Sequence, residues 1–420
     1  MFVKYWKNNV KKRCHIYRAV KPRGRHLSFH TPGHKRRGLD VTELGYTDNL
    51  CSPNGCILAA QEDIARILGA EKSFILTDGS TSGILSMLRA FYTWGGRSLA
   101  IPETAHKSVK NGCKLMGICA KEYTETDLSA KLEGIVSGAD GMMLTSPTYY
   151  GKVPPLQAIK TACQKQNKPL LIDGAHGGHL YGNPTLYAGT YADMWVDGVH
   201  KCLPAFTQGA VVSAKTEQWA KWLQDAVDIF RTSSPSYPIM ISVEYAVKYP
   251  RNEKLESLVR KTAQENAFIT VHDDWTKVLV KAGANAFAMQ RYLESKGLYA
   301  EFCDGEYIMF YLSPATPIWQ FNALIRMLKK AVKRYPYTAI VKDENSHVLL
   351  DVSGEIEEIA LTDAENRICA KECGLFPPCT PLLKVGERIG KEKIQLLQQA
   401  NGTFGLVDGK ITVWKGDVEE

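Results

Sequence analysis

From about residue 55 to 215, short apolar runs alternate with stretches whose apolar residues recur every three or four positions. The runs Ser73–Thr77, Ser98–Pro102, Gly141–Thr145, Pro169–Asp173 and Gly209–Ala214 read as strands. Between them Leu58–Leu68, Gly83–Tyr92, Lys107–Met116 and Leu156–Gln166 read as helices. Such alternation predicts an α/β domain with a mainly parallel sheet and ligands at the carboxyl ends of its strands. After Tyr249–Pro250 the texture changes. Glu253–Thr270 is a helical pattern, Lys277–Val280 and Tyr307–Leu312 look like strands around a helix, and Gly402–Trp414 suggests a hairpin. At the other end, Val3, Trp6, Val10, Cys14 and Tyr17 make a helical stripe across Phe2–Arg18, suited to packing on a neighbouring subunit. Lys21–Asp40, with Pro22, Gly24, Pro32, Gly33 and Gly38, reads as an extended arm. The expected organisation is a helix and arm over 1–40, a large domain over 41–254 and a smaller α+β domain over 255–420.

Charge narrows the class of partner. The 420 residues carry 52 Lys+Arg against 44 Asp+Glu, a net +8. Twelve of those basic residues lie in positions 1–37, with no acid before Asp40, leaving 40 basic against 44 acidic groups elsewhere. The body is faintly acidic, which excludes a generally basic nucleic-acid coat and makes the N-terminal excess the solvated face of an assembly arm. No apolar stretch approaches the ~18 residues of a membrane span, and the N-terminus lacks the apolar core of a secretory signal. Its acid-free, Arg-containing start resembles a transit peptide only superficially, so the expected location is the cytoplasm. Eleven scattered cysteines read as reduced thiols; Cys369, Cys373 and Cys379 lack zinc-site spacing and histidine partners, so no metal is expected.

Four local features could carry chemistry. Asp78-Gly79-Ser80-Thr81-Ser82-Gly83 follows a strand and opens a helix, where free amides and hydroxyls suit a phosphate; an ordinary N-cap turn is the bland alternative. Asp173, in Leu170–Gly177, leaves an apolar strand and needs a cationic partner if buried; a structural cap would also explain it. Lys201, in Asp197–Leu203, is a lysine in apolar context, and desolvation makes lysine nucleophilic toward carbonyls, although most lysines simply lie on the surface. His106 follows Ser98–Pro102 and could stack on a flat ligand or titrate, although a lone histidine is more often a loop or core residue. Each alone is weak. In this order they match the needs of pyridoxal phosphate: an anion cradle, a carboxylate, a stacking partner and a Schiff-base lysine.

The chain resembles the ornithine/lysine/arginine decarboxylases, in their short bacterial form, of the aspartate-aminotransferase fold (fold type I of the pyridoxal-phosphate enzymes). The matching stretches are Phe29–Lys35, Thr42–Leu44 with Asp48–Leu50, Gly79–Gly83, His106–Ser108, Ser146–Gly151, Asp173–Gly177 and His200-Lys201 through Gln208. Ser233–Tyr237, Pro377-Pro378 and Pro381–Leu383 extend the match over nearly the whole chain. The resemblance implies Lys201 as the Schiff-base lysine, Asp173 on the pyridine nitrogen, and Ala175 and His106 against the two ring faces. It further implies Ser80, Thr81, Ser82 and His200 around the phosphate, His176 at the cofactor, and a proton returned to Cα by Lys201 or His106. The implied activity is decarboxylation of lysine, arginine or ornithine to a polyamine or its precursor, by a homodimer or higher oligomer. Other fold-type-I lyases, aminotransferases and a degraded regulatory paralogue share the scaffold. Three positions depart from the family pattern: Gly198 stands for a usual serine, Gly174 for a polar residue and Ile84 for a frequent asparagine.

Overall fold

The computed structural model describes residues 13–21, 29–35, 38–340, 354–376 and 380–415. The expected helix before Arg13, residues 22–28 and 36–37 of the expected arm, and Pro377-Pro378 lie outside the described residues. The chain divides into two compact units, Met1–Leu255 with Ser313–Ala315, and Glu256–Leu312 with Thr316–Glu420.

The first unit is built on a seven-stranded sheet of β1 (Lys72–Leu76), β2 (Ser98–Pro102), β3 (Cys119–Tyr123), β4 (Gly141–Thr145), β5 (Leu170–Gly174), β6 (Met194–Asp197) and β7 (Ala210–Ala214). Their spatial order is β3-β2-β4-β5-β6-β7-β1. Neighbours from β3 to β6 pair in parallel, and β7 alone runs antiparallel to both of its neighbours, so the sheet is mainly parallel as expected. Two strands escape the pattern reading for physical reasons. β3 is an edge strand with four of its five residues exposed, so it carries no apolar run. β6 has four residues, and short strands leave little periodicity to detect.

The helices that shape the site are α1 (His15–Val20), α2 (Cys56–Leu68), α3 (Gly79–Trp94), α4 (Lys107–Met116), α5 (Val199–Cys202), α6 (Glu217–Phe230) and α7 (Tyr237–Val247). α3 lies close on one face of the sheet. A Cβ added to Gly83 would stand 2.6 Å from Val196 Cγ2 and 2.9 Å from Leu76 Cδ1. Its apolar side, with Leu88 and Phe91, joins Val109 of α4, Leu223 of α6 and Met143 and Val196 of the sheet in one core. α3 begins four residues before its apolar periodicity does, because its first turn is the polar Gly79–Ser82.

Asp48 holds α2 in place. At φ +67° it accepts the backbone N–H groups of Gly55 at 2.9 Å and Ile57 at 2.8 Å, satisfying donors that open the helix, while Tyr237 donates to its carbonyl at 2.6 Å. The described part of the N-terminal helix corrects one expectation. Cys14 and Tyr17, expected on a face for a neighbouring subunit, are buried, and α1 packs on α2 and α7 of its own chain. Glu244 caps it by accepting from His15 N at 2.6 Å and Ile16 N at 3.1 Å. Lys248 bridges Glu244 and Asp63 at 2.8 and 2.6 Å. His15, Asp63 and Glu244 form the one described group of three that could hold a metal ion, and the Lys248 ammonium already serves as their cation.

In the second unit, β8 (Ile269–Thr270), β9 (Lys277–Lys281), β10 (Phe302–Cys303) and β11 (Tyr307–Tyr311) form an antiparallel sheet of order β10-β11-β9-β8, with helices at Ala286–Ser295 and Ile318–Arg334. The helical pattern expected through Thr270 stops at Glu265, and the chain enters β8 instead. A further core gathers Leu361, Cys373, Leu383, Ile389, Ile411 and Val413. Of the expected hairpin at Gly402–Trp414 only the turn forms, where Val407 and Lys410 exchange backbone hydrogen bonds at 3.1 and 2.9 Å. Thr403–Phe404 pairs with Cys373–Leu375, whereas Lys410–Trp414 pairs with Ile356–Ala360. Gly405, at φ +80°, diverts the chain where a Cβ would stand 2.3 Å from Glu372 O.

Candidate active site

The β5–β6 register determines the arrangement. Asp173 pairs with Val196, and Gly174 with Asp197. Side chains alternate between faces along a strand, so Asp173 shares the α3 face with Leu171 and Val196, while Asp197 shares the opposite face with Trp195. Two carboxyl groups thus end adjacent strands on opposite sides of one sheet. Asp173 is 3% exposed and accepts from Ala175 N at 3.1 Å. Beyond it the chain turns tightly, with Gly177 N donating to Gly174 O at 2.7 Å.

Lys201 rides on the single turn of α5, which follows β6 directly. Its Nζ lies 3.2 Å from His176 Nε2, and the His176 ring meets the Tyr149 ring edge-on at 4.9 Å between centroids. His106 caps α4: its Nδ1 accepts from Ser108 N at 3.2 Å and from Ser108 Oγ at 2.7 Å, so the neutral ring carries its proton on Nε2. Burial pushes the His106 pKa below the usual histidine value; the Asp173 carboxylate opposes this, and Lys201 adds to it. Asp173, Lys201 and His106 are therefore electrostatic neighbours. His200 donates Nδ1–H to Gly209 O at 2.9 Å, and burial lowers its pKa too, with Lys201 adding to the effect.

The glycine turn at the end of β1 is tied to the same region. Gly79, at φ +78°, donates its N–H to Gln208 O at 2.8 Å, and His200 N donates to Gly209 O at 3.0 Å. Ser80 and Ser82 are buried and Thr81 is exposed. Ser82 Oγ donates to Gly79 O at 2.9 Å. Thr77 Oγ1 and Ser146 Oγ, at the carboxyl ends of β1 and β4, are buried without a hydrogen-bond partner among the described residues. Of the residues expected at a site, Ser80, Thr81 and Ser82 open α3, His106 caps the start of α4, Asp173 lies at the end of β5, and Ala175 and His176 follow it. His200 and Lys201 follow β6, so all lie at carboxyl ends of the sheet.

The departures at Gly174 and Gly198 have a physical reason. A Cβ at Gly198 would stand 2.4 Å from Ala175 O, and one at Gly174 would stand 2.8 Å from Val196 O. The Asp173 turn and the Lys201 turn meet backbone to backbone, leaving no room for a side chain at either position. Ile84 is a core residue on α3. Sequence reasoning missed Asp197, Tyr187 and Tyr149. Asp197 sat within a quoted stretch, but only the strand β6, itself missed, would have shown which face it occupies.

The fold is that of the fold-type-I pyridoxal-phosphate enzymes. Within that class the chain belongs to the Orn/Lys/Arg decarboxylase family: the major-domain model matches residues 20–127 and 114–274, and the C-terminal-domain model matches 325–404. It is 27% identical to "Uncharacterized protein YaaO" of Bacillus subtilis, across 95% of this chain and 96% of the relative. It is 22% identical to an arginine decarboxylase of Halalkalibacterium halodurans, across 89% and 90%. Among solved structures, the constitutive lysine decarboxylase of E. coli superposes with a TM-score of 0.66 at 19% identity, over 98% of this chain and 83% of that one. Serine palmitoyltransferase of Sphingomonas wittichii shares the fold at a TM-score of 0.54, 14% identity and 66% of this chain against 76% of that one.

Proposed function

We propose that the protein is a pyridoxal-phosphate-dependent decarboxylase of a basic amino acid (lysine, arginine or ornithine) that makes a polyamine or its precursor in the cytoplasm. The observation that carries this reading is the grouping of Lys201, Asp173 and His106 at the carboxyl ends of neighbouring elements. The cofactor's chemical needs fit the residues present: a glycine turn opening a long helix, buried hydroxyls lacking partners, a buried carboxylate and a lysine beside a histidine.

When bound, the cofactor supplies a carbonyl for amine attachment and a cationic ring that accepts the electron pair released as CO2 departs. Ser80, Thr81, Ser82 and His200 would hold its phosphate. Asp173 would keep a proton on its ring nitrogen, Ala175 and His106 would flank the ring, and His176 would share the contact with Lys201. Lys201 would anchor it through Nζ. Lys201 Nζ and His106 Nε2 are the two groups able to return a proton to Cα, and burial keeps His106 neutral with Nε2 protonated. A homodimer or higher assembly belongs to this reading, as the family resemblance implies.

Purified protein supplied with the cofactor should be yellow, and Lys201→Ala should remove the band. CO2 release should then appear with at least one of lysine, arginine and ornithine. A protein that stays colourless, or that moves the amino group to an oxo acid without releasing CO2, would overturn the proposal.

A further inference from the structure

The reverse face of the sheet holds a carboxyl group that this chemistry does not use. Asp197, 1% exposed, ends β6 one residue before the Lys201 turn. Its Oδ2 accepts from Tyr187 Oη at 2.7 Å and Trp195 Nε1 at 3.1 Å, and Trp195 also donates to Tyr187 Oη at 2.9 Å. Its Oδ1 has no hydrogen-bond partner among the described residues. That oxygen stands 3.3 Å from where a Cβ of Gly174 would be, and Asp197 Cβ stands 3.4 Å from where a Cβ of Gly178 would be. The side chain fills the space behind the Asp173 turn, and its own backbone leads straight into Gly198, which touches Ala175.

We propose that Asp197 is a positioning residue: braced by Tyr187 and Trp195, it wedges the Asp173 turn against the Lys201 turn and so sets the placement of Lys201 relative to Asp173. An ordinary structural carboxyl would be paired with a cation or exposed to water. Asp197 instead receives only neutral donors, its free oxygen faces Gly174, and its Cβ lies against Gly178. A wedge acts through shape and hydrogen bonding, so asparagine should replace it and alanine should not. The inference rests on the reading of Lys201 as the cofactor's lysine, but its test does not need the cofactor.

Cofactor-free full-length wild type, Asp197→Asn, Asp197→Ala and Tyr187→Phe are acetylated at one fixed pH, and the labelling of Lys201 is compared by mass spectrometry with that of exposed Lys221 in the same digest. Asp197→Ala should change the Lys201 to Lys221 ratio at least about threefold, Tyr187→Phe should change it in the same direction, and Asp197→Asn should stay near wild type. Affinity for pyridoxal phosphate should weaken about tenfold in the alanine variant and recover in the asparagine one. If Asp197→Ala fails to fold, Tyr187→Phe decides alone. An unchanged ratio in a folded Asp197→Ala or Tyr187→Phe protein overturns the wedge, as does an asparagine variant shifted as far as alanine. If wild type binds no cofactor, the functional reading fails, while the ratios still decide the positioning role.

Discussion

Burial away from any paired cation pushes the Asp197 carboxyl up to about 7, although the hydrogen bonds from Tyr187 and Trp195 pull the other way. This has a stability consequence at the scale of the residue. The unfolded chain ionises Asp197 near the ordinary carboxylate value, whereas the folded chain resists ionisation until about pH 7. The group's contribution is therefore full below about pH 4, is lost progressively as pH rises to about 7, and is flat above that. Asp197→Asn does not titrate, so its melting temperature should fall less between pH 5 and 8 than that of the wild type, by an amount worth a few kcal/mol. Parallel melting curves for the two proteins across that range would contradict a carboxyl held neutral by burial. Lys201, Asp173 and His106 were legible in the sequence as candidates, by residue type and order. Asp197 was not, because its role depends on the cross-strand register that sets Gly174 beside it.

At the scale of the element, the two turns that carry Asp173 and Lys201 meet backbone to backbone at Gly198 and Ala175. Restoring the serine usual at Gly198 should therefore not restore a hydroxyl to the phosphate. Gly198→Ser forces Ala175 away and should cost about 1–3 kcal/mol, with a lower melting temperature and no gain in cofactor affinity. Tighter cofactor binding at an unchanged melting temperature would show instead that the turns separate freely. Most elements of the large sheet were legible because buried strands in a parallel sheet are apolar runs. β3 was not, since an exposed edge strand has no apolar run, and the hairpin at Gly402–Trp414 is reduced to its turn because the segments flanking it pair with different neighbours. Local periodicity reports which residues are buried, not which strand lies beside them.

At the scale of the molecule, the second unit has a core of its own around Leu383, Ile411 and Val413. Leu383→Ala should cost about 2–5 kcal/mol there, seen as faster hydrogen exchange across 354–415. Exchange in β5 and β6 should be unchanged, because their core belongs to the first unit. Matched losses of protection in both places would mean that the two units open together. The basic N-terminal excess, first read as an assembly arm, has a different anchor in its described part, where Glu244 and Asp63 meet His15 and Lys248 within one chain.

The carbonyls of Gln208 and Gly209 receive the N–H of Gly79 and both donors of His200, so two successive peptide groups strap the phosphate-type turn to the lysine turn. Carbonyls belong to the main chain, and no exchange of side chains removes them. The strap is therefore sensitive to length as well as to the few residues that fit it, since Gln208 sits at φ +77° and a Cβ at Gly209 would stand 2.7 Å from Val243 Cγ2. One residue inserted or deleted between Lys201 and Gly209 would disconnect both turns at once.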